Sequence, residues 1–276
     1  MASIGATPAL AQPADLRRPA ADHYDVVALR VAFQVDTTRF TTGDGTFDGE
    51  LYPNGLQPSV DPLPHDAAYF QAHLDFLDHY VRRVSDGQTR ITTHLVPEVV
   101  RLSQEMGAYS PTGFEADSDP ERLKLVALIE EAWATASQRS AFDLSSFDPE
   151  RTVFLIFHAG IGRDIELLGT VLDKTPQDLP SLFFSEQELG RLASGPVAFN
   201  GFPVRHTIIL PRSETRSAFN FIDDTPFLLE LSINGLLAAS FFNVLGVPDL
   251  FNTATGEPAI GPFGLMDPLG FFAYSG

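Results

Sequence analysis

The sequence predicts an α+β protein: a mixed twisted β-sheet packed with helices, one of them a central, buried apolar helix. Three observations lead there. Apolar runs rich in β-branched residues recur at 25–36, 89–96, 152–157 and 204–210, as buried strands do. Two longer stretches, Asp66 to Asp86 and Pro120 to Gln138, repeat apolar residues at helical spacing. The run from Phe227 to Val247 carries Glu230 as its only charge, the composition of a helix enclosed on most sides.

Residues 1–24 are Ala- and Pro-rich and read as a signal-peptide remnant or a disordered leader. Ala9-Leu10-Ala11 fits the small-x-small cleavage pattern, although a charged start and a full apolar core are missing. The remainder, 25–276, reads as one domain. Asp25 to Asp36 is a buried strand with Arg30 as its main interruption. In the Gly-punctuated segment that follows, Asp44, Thr46, Asp48 and Glu50 alternate. Asp44, Asp48 and Glu50 are weak calcium candidates, because oxygen ligands need close spacing and glycine allows the bend. A plain β-hairpin turning at Asp44-Gly45 is the simpler expectation.

In the first helix Tyr69, Phe70, Leu74, Leu77, Tyr80, Val81 and Val84 make the apolar stripe, and Gly87 ends it. His73 and His79 do not share a face well and make no metal pair. Thr89 to Val96 follows as a strand, and Val99 to Leu102 is a candidate for another. The second helix starts at Asp119 as its cap, and its stripe includes Trp133, a core residue. Thr152 to Phe157 is a fully buried strand running into His158-Ala159-Gly160-Ile161-Gly162. That glycine pattern lacks the third Gly and the Lys-Ser/Thr of a phosphate loop. A short helix is expected from Ser185, and a strand from Val204 to Leu210 closed by Pro211. Residues 211–224 read as a polar connection into the central helix. That helix is expected to start with Thr225 as cap, Pro226 as its first residue, and Asp223 and Asp224 at the positive end of its dipole. It should stop at Gly246.

The 276 residues carry 18 Lys and Arg against 36 Asp and Glu, a net charge of −18. So acidic a chain is unsuited to nucleic acid, whose binding rests on cations neutralising phosphates. The absence of cysteine excludes disulfides and thiolate metal sites. A membrane span at Phe227 to Val247 is disfavoured. Ser232, Asn234, Gly235, Ser240 and Asn243 interrupt it, and no cluster of Lys or Arg flanks it.

The stretch Gly246 to Thr253, GVPDLFNT, resembles the second half of the zinc-site motif of the immune inhibitor A type of secreted metallopeptidases, HExxHxxGxxD running on as GLPDLYDT. Two further stretches agree. Tyr80, Val84, Ser85 and Gly87 match a helix end preceding a strand, and HAGIG resembles the family's strand ending in HAGxGxE. Gly264-Leu265-Met266-Asp267 is similar to its methionine turn, WDLM, with Phe263-Gly264 in place of Trp-Asp. The resemblance implies a zincin-like fold, export from the cell, and a domain truncated at its C-terminus. It places Ala239 and Asn243 where the two zinc histidines stand, Ser240 at the catalytic glutamate and Asp249 at the third ligand. It also makes His158, Gly160, Gly162 and Met266 cleft residues.

Zinc in such a site needs three protein ligands, and the intervening glutamate activates its water. An alanine methyl has no lone pair, and serine is no carboxylate base. The expectation is therefore a secreted, catalytically inactive metallopeptidase-like protein without zinc. Its partner would be a polypeptide, met at a strand edge beside the degenerate cleft, or further copies in a surface assembly. The alternative is an active zinc metalloendopeptidase whose ligands come from His158, His206, Glu230 and Asp249.

Overall fold

The computed structural model describes residues 23–52, 55–112, 118–164, 175–220, 222–223, 225–252, 257–267 and 270. Of the leader expected at 1–24, residues 1–22 lie outside the described residues, as do Asp224, Thr253 and the C-terminal 271–276, whereas His23 and Tyr24 already belong to the first strand.

In chain order the elements are β1 (His23–Ala32), α1 (Ala67–Val84), β2 (Arg90–Arg101), α2 (Asp119–Arg139), β3 (Thr152–Ile161), β4 (Leu182–Phe184), α3 (Glu186–Leu192), β5 (Ala198–Phe199), β6 (Phe202–Pro203), β7 (Thr207–Ser213), β8 (Arg216–Phe219), β9 (Pro226–Leu229) and α4 (Asn234–Val244). Five strands form one mixed twisted sheet in the order β2-β1-β3-β7-β4. The first four run parallel, and β4 closes the edge antiparallel to β7. The pairs β5–β6 and β8–β9 are separate antiparallel ribbons.

The sheet is covered on both faces, as parallel strands require. Strand alternation sends Val27, Leu29 and Val31 of β1 to one face, where Trp133, Ile129 and Leu125 of α2 pack. Val26 and Ala28 face the other side, against Phe70, Leu74 and Leu77 of α1 and Leu237 and Phe241 of α4. Each such fully buried side chain contributes about 1.5–3 kcal/mol relative to leaving it in water. Trp133 belongs to the core, as the sequence suggested, and its indole N–H donates to Thr207 Oγ1 at 3.2 Å.

Local chemistry explains the helix ends. Asp66 caps α1 by accepting the N–H groups of Ala68 and Tyr69. Ser185 and Glu188 form a reciprocal capping box on α3. The cap of α2 is Ser118, one residue before the expected Asp119, which instead occupies its first turn.

Several expectations are corrected. No strand forms among the described residues of 37–55, so the hairpin at Asp44-Gly45 is absent. The Asp44 carboxylate instead accepts the N–H and hydroxyl of Thr46 and folds the segment on itself. The two strands expected between 89 and 102 are one strand, β2, whose register slips between the Ala28 and Arg30 pairings with β1. Strand β3 continues through His158 to Ile161. Pro211 lies inside β7 rather than ending it. Strand β4 covers β7 only from Thr207 to Ile209, so among the described residues Pro211 stands where that edge has no strand beside it.

The largest correction concerns the central helix. Pro226 to Leu229 is not its first turn but strand β9, paired antiparallel with β8. Thr225 is not a helix cap; its N–H and hydroxyl donate to Asp223 in the turn of this hairpin. Along β9 the exposure alternates, with Leu228 packed against the cluster of Leu51, Tyr52 and Ile161 while Phe227 and Leu229 stay exposed. The helix itself runs from Asn234 to Val244 and is buried at Leu236, Leu237, Ala238 and Phe241. Among the described residues no helix is long and apolar enough to cross a membrane.

Candidate functional site

The positions singled out by the motif gather at the end of α4. Gly246, at φ 85°, takes the left-handed conformation that terminates the helix. Its N–H donates to Asn243 O at 2.9 Å and that of Val247 to Phe242 O at 3.0 Å, the two bonds of a Schellman closure. The turn returns the chain onto the helix. Asn243 Nδ2 donates to Asp249 Oδ1 at 3.1 Å and to Val247 O at 3.2 Å. Two of the positions singled out in the sequence, Asn243 and Asp249, therefore touch.

The turn at Met266 is joined to the same place. Leu250 N–H donates to Met266 O at 2.7 Å, and Ala259 N–H to Leu250 O at 3.2 Å. Asp267, fully buried, holds this turn by accepting the N–H groups of Ala259, Ile260 and Gly261 at 2.9–3.1 Å. Ala239 and Ser240 are buried on the helix, and Phe241 packs edge-on against Tyr24 at 5.8 Å between ring centres.

Chemically this arrangement offers little to a metal. Ala239 has no donor atom. Asn243 presents its amide N–H groups to Asp249, and an amide nitrogen bearing hydrogens has no lone pair to give. Asp249 is exposed. Among the described residues no three His, Asp or Glu side chains gather as a metal site.

The alternative ligands are dispersed. His158 is enclosed in β3, where its Nδ1 accepts the Gly160 N–H at 3.1 Å. Burial, and secondarily the charge of Arg212, push its pKa down to about 3, so it is neutral. His206 stands against Phe183 at 6.2 Å between ring centres. Glu230 is occupied by the N–H groups of Ser59 and Val60 and the Ser59 hydroxyl at 2.6–2.8 Å, which hold its pKa below the usual value.

The expected cleft residues are enclosed. Gly160 and Gly162 are buried, and Met266 is 6% exposed. The glycines serve packing: a methyl at Gly160 would overlap Met106, and one at Gly162 would overlap the Glu214 carboxyl.

Glu214 belongs to a constellation the sequence reading passed over. Ser213, Glu214, Thr215 and Arg216, read as a polar connection, are all buried where β7 hands over to β8. Arg216 Nη2 pairs with Asp178 Oδ2 at 3.2 Å, and Asp178 also accepts the N–H and hydroxyl of Thr42 at 2.7 Å each. Burial raises Asp178 to about 6 in spite of that arginine. Burial and the neighbouring Asp164 push Glu214 well above the ordinary glutamate value. The available signal was a run of polar residues directly continuing a buried strand.

No protein-family model matches the chain, and no curated protein matches it.

Proposed function

We propose that this chain is a secreted, catalytically inactive relative of the immune inhibitor A type of zinc metallopeptidases that binds polypeptide without cutting it. One observation carries the reading. The turn after Gly246 brings Asp249 onto Asn243, and the Met266 turn bonds back to Leu250, while Ala239, Ser240 and Asn243 stand where histidine, glutamate and histidine would be needed. That proximity supports the reading, since the resemblance assigns these stretches to one site.

The mode of binding follows from the neighbouring strand. Strand β4 is the antiparallel edge of the sheet and, among the described residues, pairs only with β7. Helix α4 packs against β4 and β7. An extended segment added to such an edge would take its affinity from main-chain hydrogen bonds.

Two measurements test the reading. The purified chain should carry no stoichiometric zinc and should retain fluorescent denatured casein without cleaving it. Failure to retain casein removes the binding role, and chelator-sensitive cleavage removes the inactivity. The variant combining Ala239→His, Ser240→Glu and Asn243→His should gain one bound zinc per chain by atomic absorption. A folded triple variant that takes up none would sink the kinship.

A further inference from the structure

Arg30 interrupts an otherwise apolar strand, and its surroundings suggest why. It lines a cavity of about 370 Å³ at the carboxyl ends of β1 and β2, within the size range of small-ligand sites. Arg30 pairs across to Val99 and Ala32 to Arg101, so the floor of the cavity is the last turn of two parallel strands. Outside the carboxyl ends of parallel strands is where open sheets bind ligands.

The lining inverts the charge of the molecule. The chain has twice as many acidic as basic side chains, 36 against 18. Yet Arg30, Arg101 and Arg139 meet here against Asp48 and Asp66. Asp66 is already committed to the first N–H groups of α1. Behind the wall, Arg212 is fully buried, donates from Nη1 to Thr46 O at 2.7 Å and lies 6.0 Å over the Phe47 ring.

The arginines themselves are unevenly satisfied. Arg30 is 9% exposed and its Nη2 is spent on Pro97 O at 2.5 Å, but its Nε has no partner. Nε and Nη2 of Arg212 lack partners too. Those atoms have no open surface; the cavity itself offers an oxyanion the exposed guanidinium groups of Arg101 and Arg139 beside Arg30.

We propose that this cavity binds a ligand with a single carboxylate on a compact apolar body. The carboxylate meets the guanidinium groups of Arg30, Arg101 and Arg139, and the body lies on the apolar surface of Phe47, Pro64 and Val99. A doubly charged phosphate is less suited, because Asp48 and Asp66 repel its second charge. The site is separate from the α4 region, so it stands or falls independently of the polypeptide-binding reading.

The test titrates the full chain with benzoate, hexanoate and inorganic phosphate, each alone, by calorimetry and ligand-observed NMR. Saturable binding of benzoate or hexanoate is expected, with phosphate weaker. Arg101→Gln with Arg139→Gln, both exposed and outside the core, should lower carboxylate affinity about tenfold or more while the far-UV circular dichroism stays that of the folded chain. Arg139→Gln alone supplies a milder version should the pair disturb folding. Absence of saturable carboxylate binding, binding indifferent to both substitutions, or phosphate bound as tightly as the carboxylates would each overturn the proposal.

Discussion

Gly162 has no side chain, and the Glu214 carboxyl fills the space that one would take. Glu214 is fully buried and Asp164 stands beside it, so neither can swing out to make room. Gly162→Ala should therefore destabilise the protein by at least the 1–3 kcal/mol typical of overpacking. Gly160→Ala meets the flexible end of Met106 instead and should cost less. Urea unfolding of the two variants checks the order, and equal losses would contradict it. The glycine pattern was visible in the sequence, but the partner that demands it lies 52 positions away, from Gly162 to Glu214. Nothing local announces such a partner, which is why HAGIG was legible as a strand end and not as a seat for a buried acid. Arg30 teaches the converse. A charge inside an apolar strand is visible at once, but the other two arginines of its cavity come from β2 and α2, and only the fold brings them together.

At the scale of elements, the end of α4 is set by one conformation. Gly246 sits at φ 85°, open to solvent, with nothing near enough to clash with a methyl. Gly246→Ala thus isolates the backbone term and should cost about 1 kcal/mol in denaturant unfolding. A larger loss would mean that the turn carrying Asp249 also comes apart. Elements with their own periodicity and caps were legible in advance: α1, α2, α3, β1 and β3 appear within a few residues of where spacing and Ser, Asp or Gly signals put them. The start of the central helix was not. Thr225-Pro226 followed by apolar residues suits either a helix start or a strand, since proline is accepted at the first position of both. The choice was made by pairing with β8, a segment whose polar composition hid it as a strand. Pro211 misled for a similar reason: proline ends a strand only where both edges are paired, and β7 is half covered there.

For the whole molecule, buried titratable groups set two opposing slopes of stability against pH. Burial raises Asp61 and Asp178 to about 6 and Glu214 well above its usual value. These carboxyls hold protons more tightly when folded. Their stabilisation is complete below the unfolded value near 4 and is lost as pH climbs through the folded values, about 6 for Asp61 and Asp178. Burial lowers His65 to about 4, His158 to about 3 and His73 in the same direction. The folded state keeps these rings neutral. Their stabilisation is complete above the unfolded value near 6.5 and is lost as pH falls towards the folded ones. Between pH 5 and 7 each fully shifted group is worth about 1–2 kcal/mol, with opposite signs for the two kinds. The wild-type protein should therefore change little across that range and lose stability steeply below pH 4. Lowered carboxylates such as Asp119, Glu121 and Glu230 add to that acid limb. Substitution separates the slopes. Asp61→Asn removes one carboxyl and should make stability rise from pH 5 to pH 7. His65→Gln removes one buried ring and should make it fall. Urea titrations of the three proteins at both pH values decide it, and two variants that keep the wild-type slope would show that these burials do not govern the pH response. The balance lies beyond sequence reading altogether, because a net charge of −18 counts every acid alike, while the fold decides which of them must stay protonated.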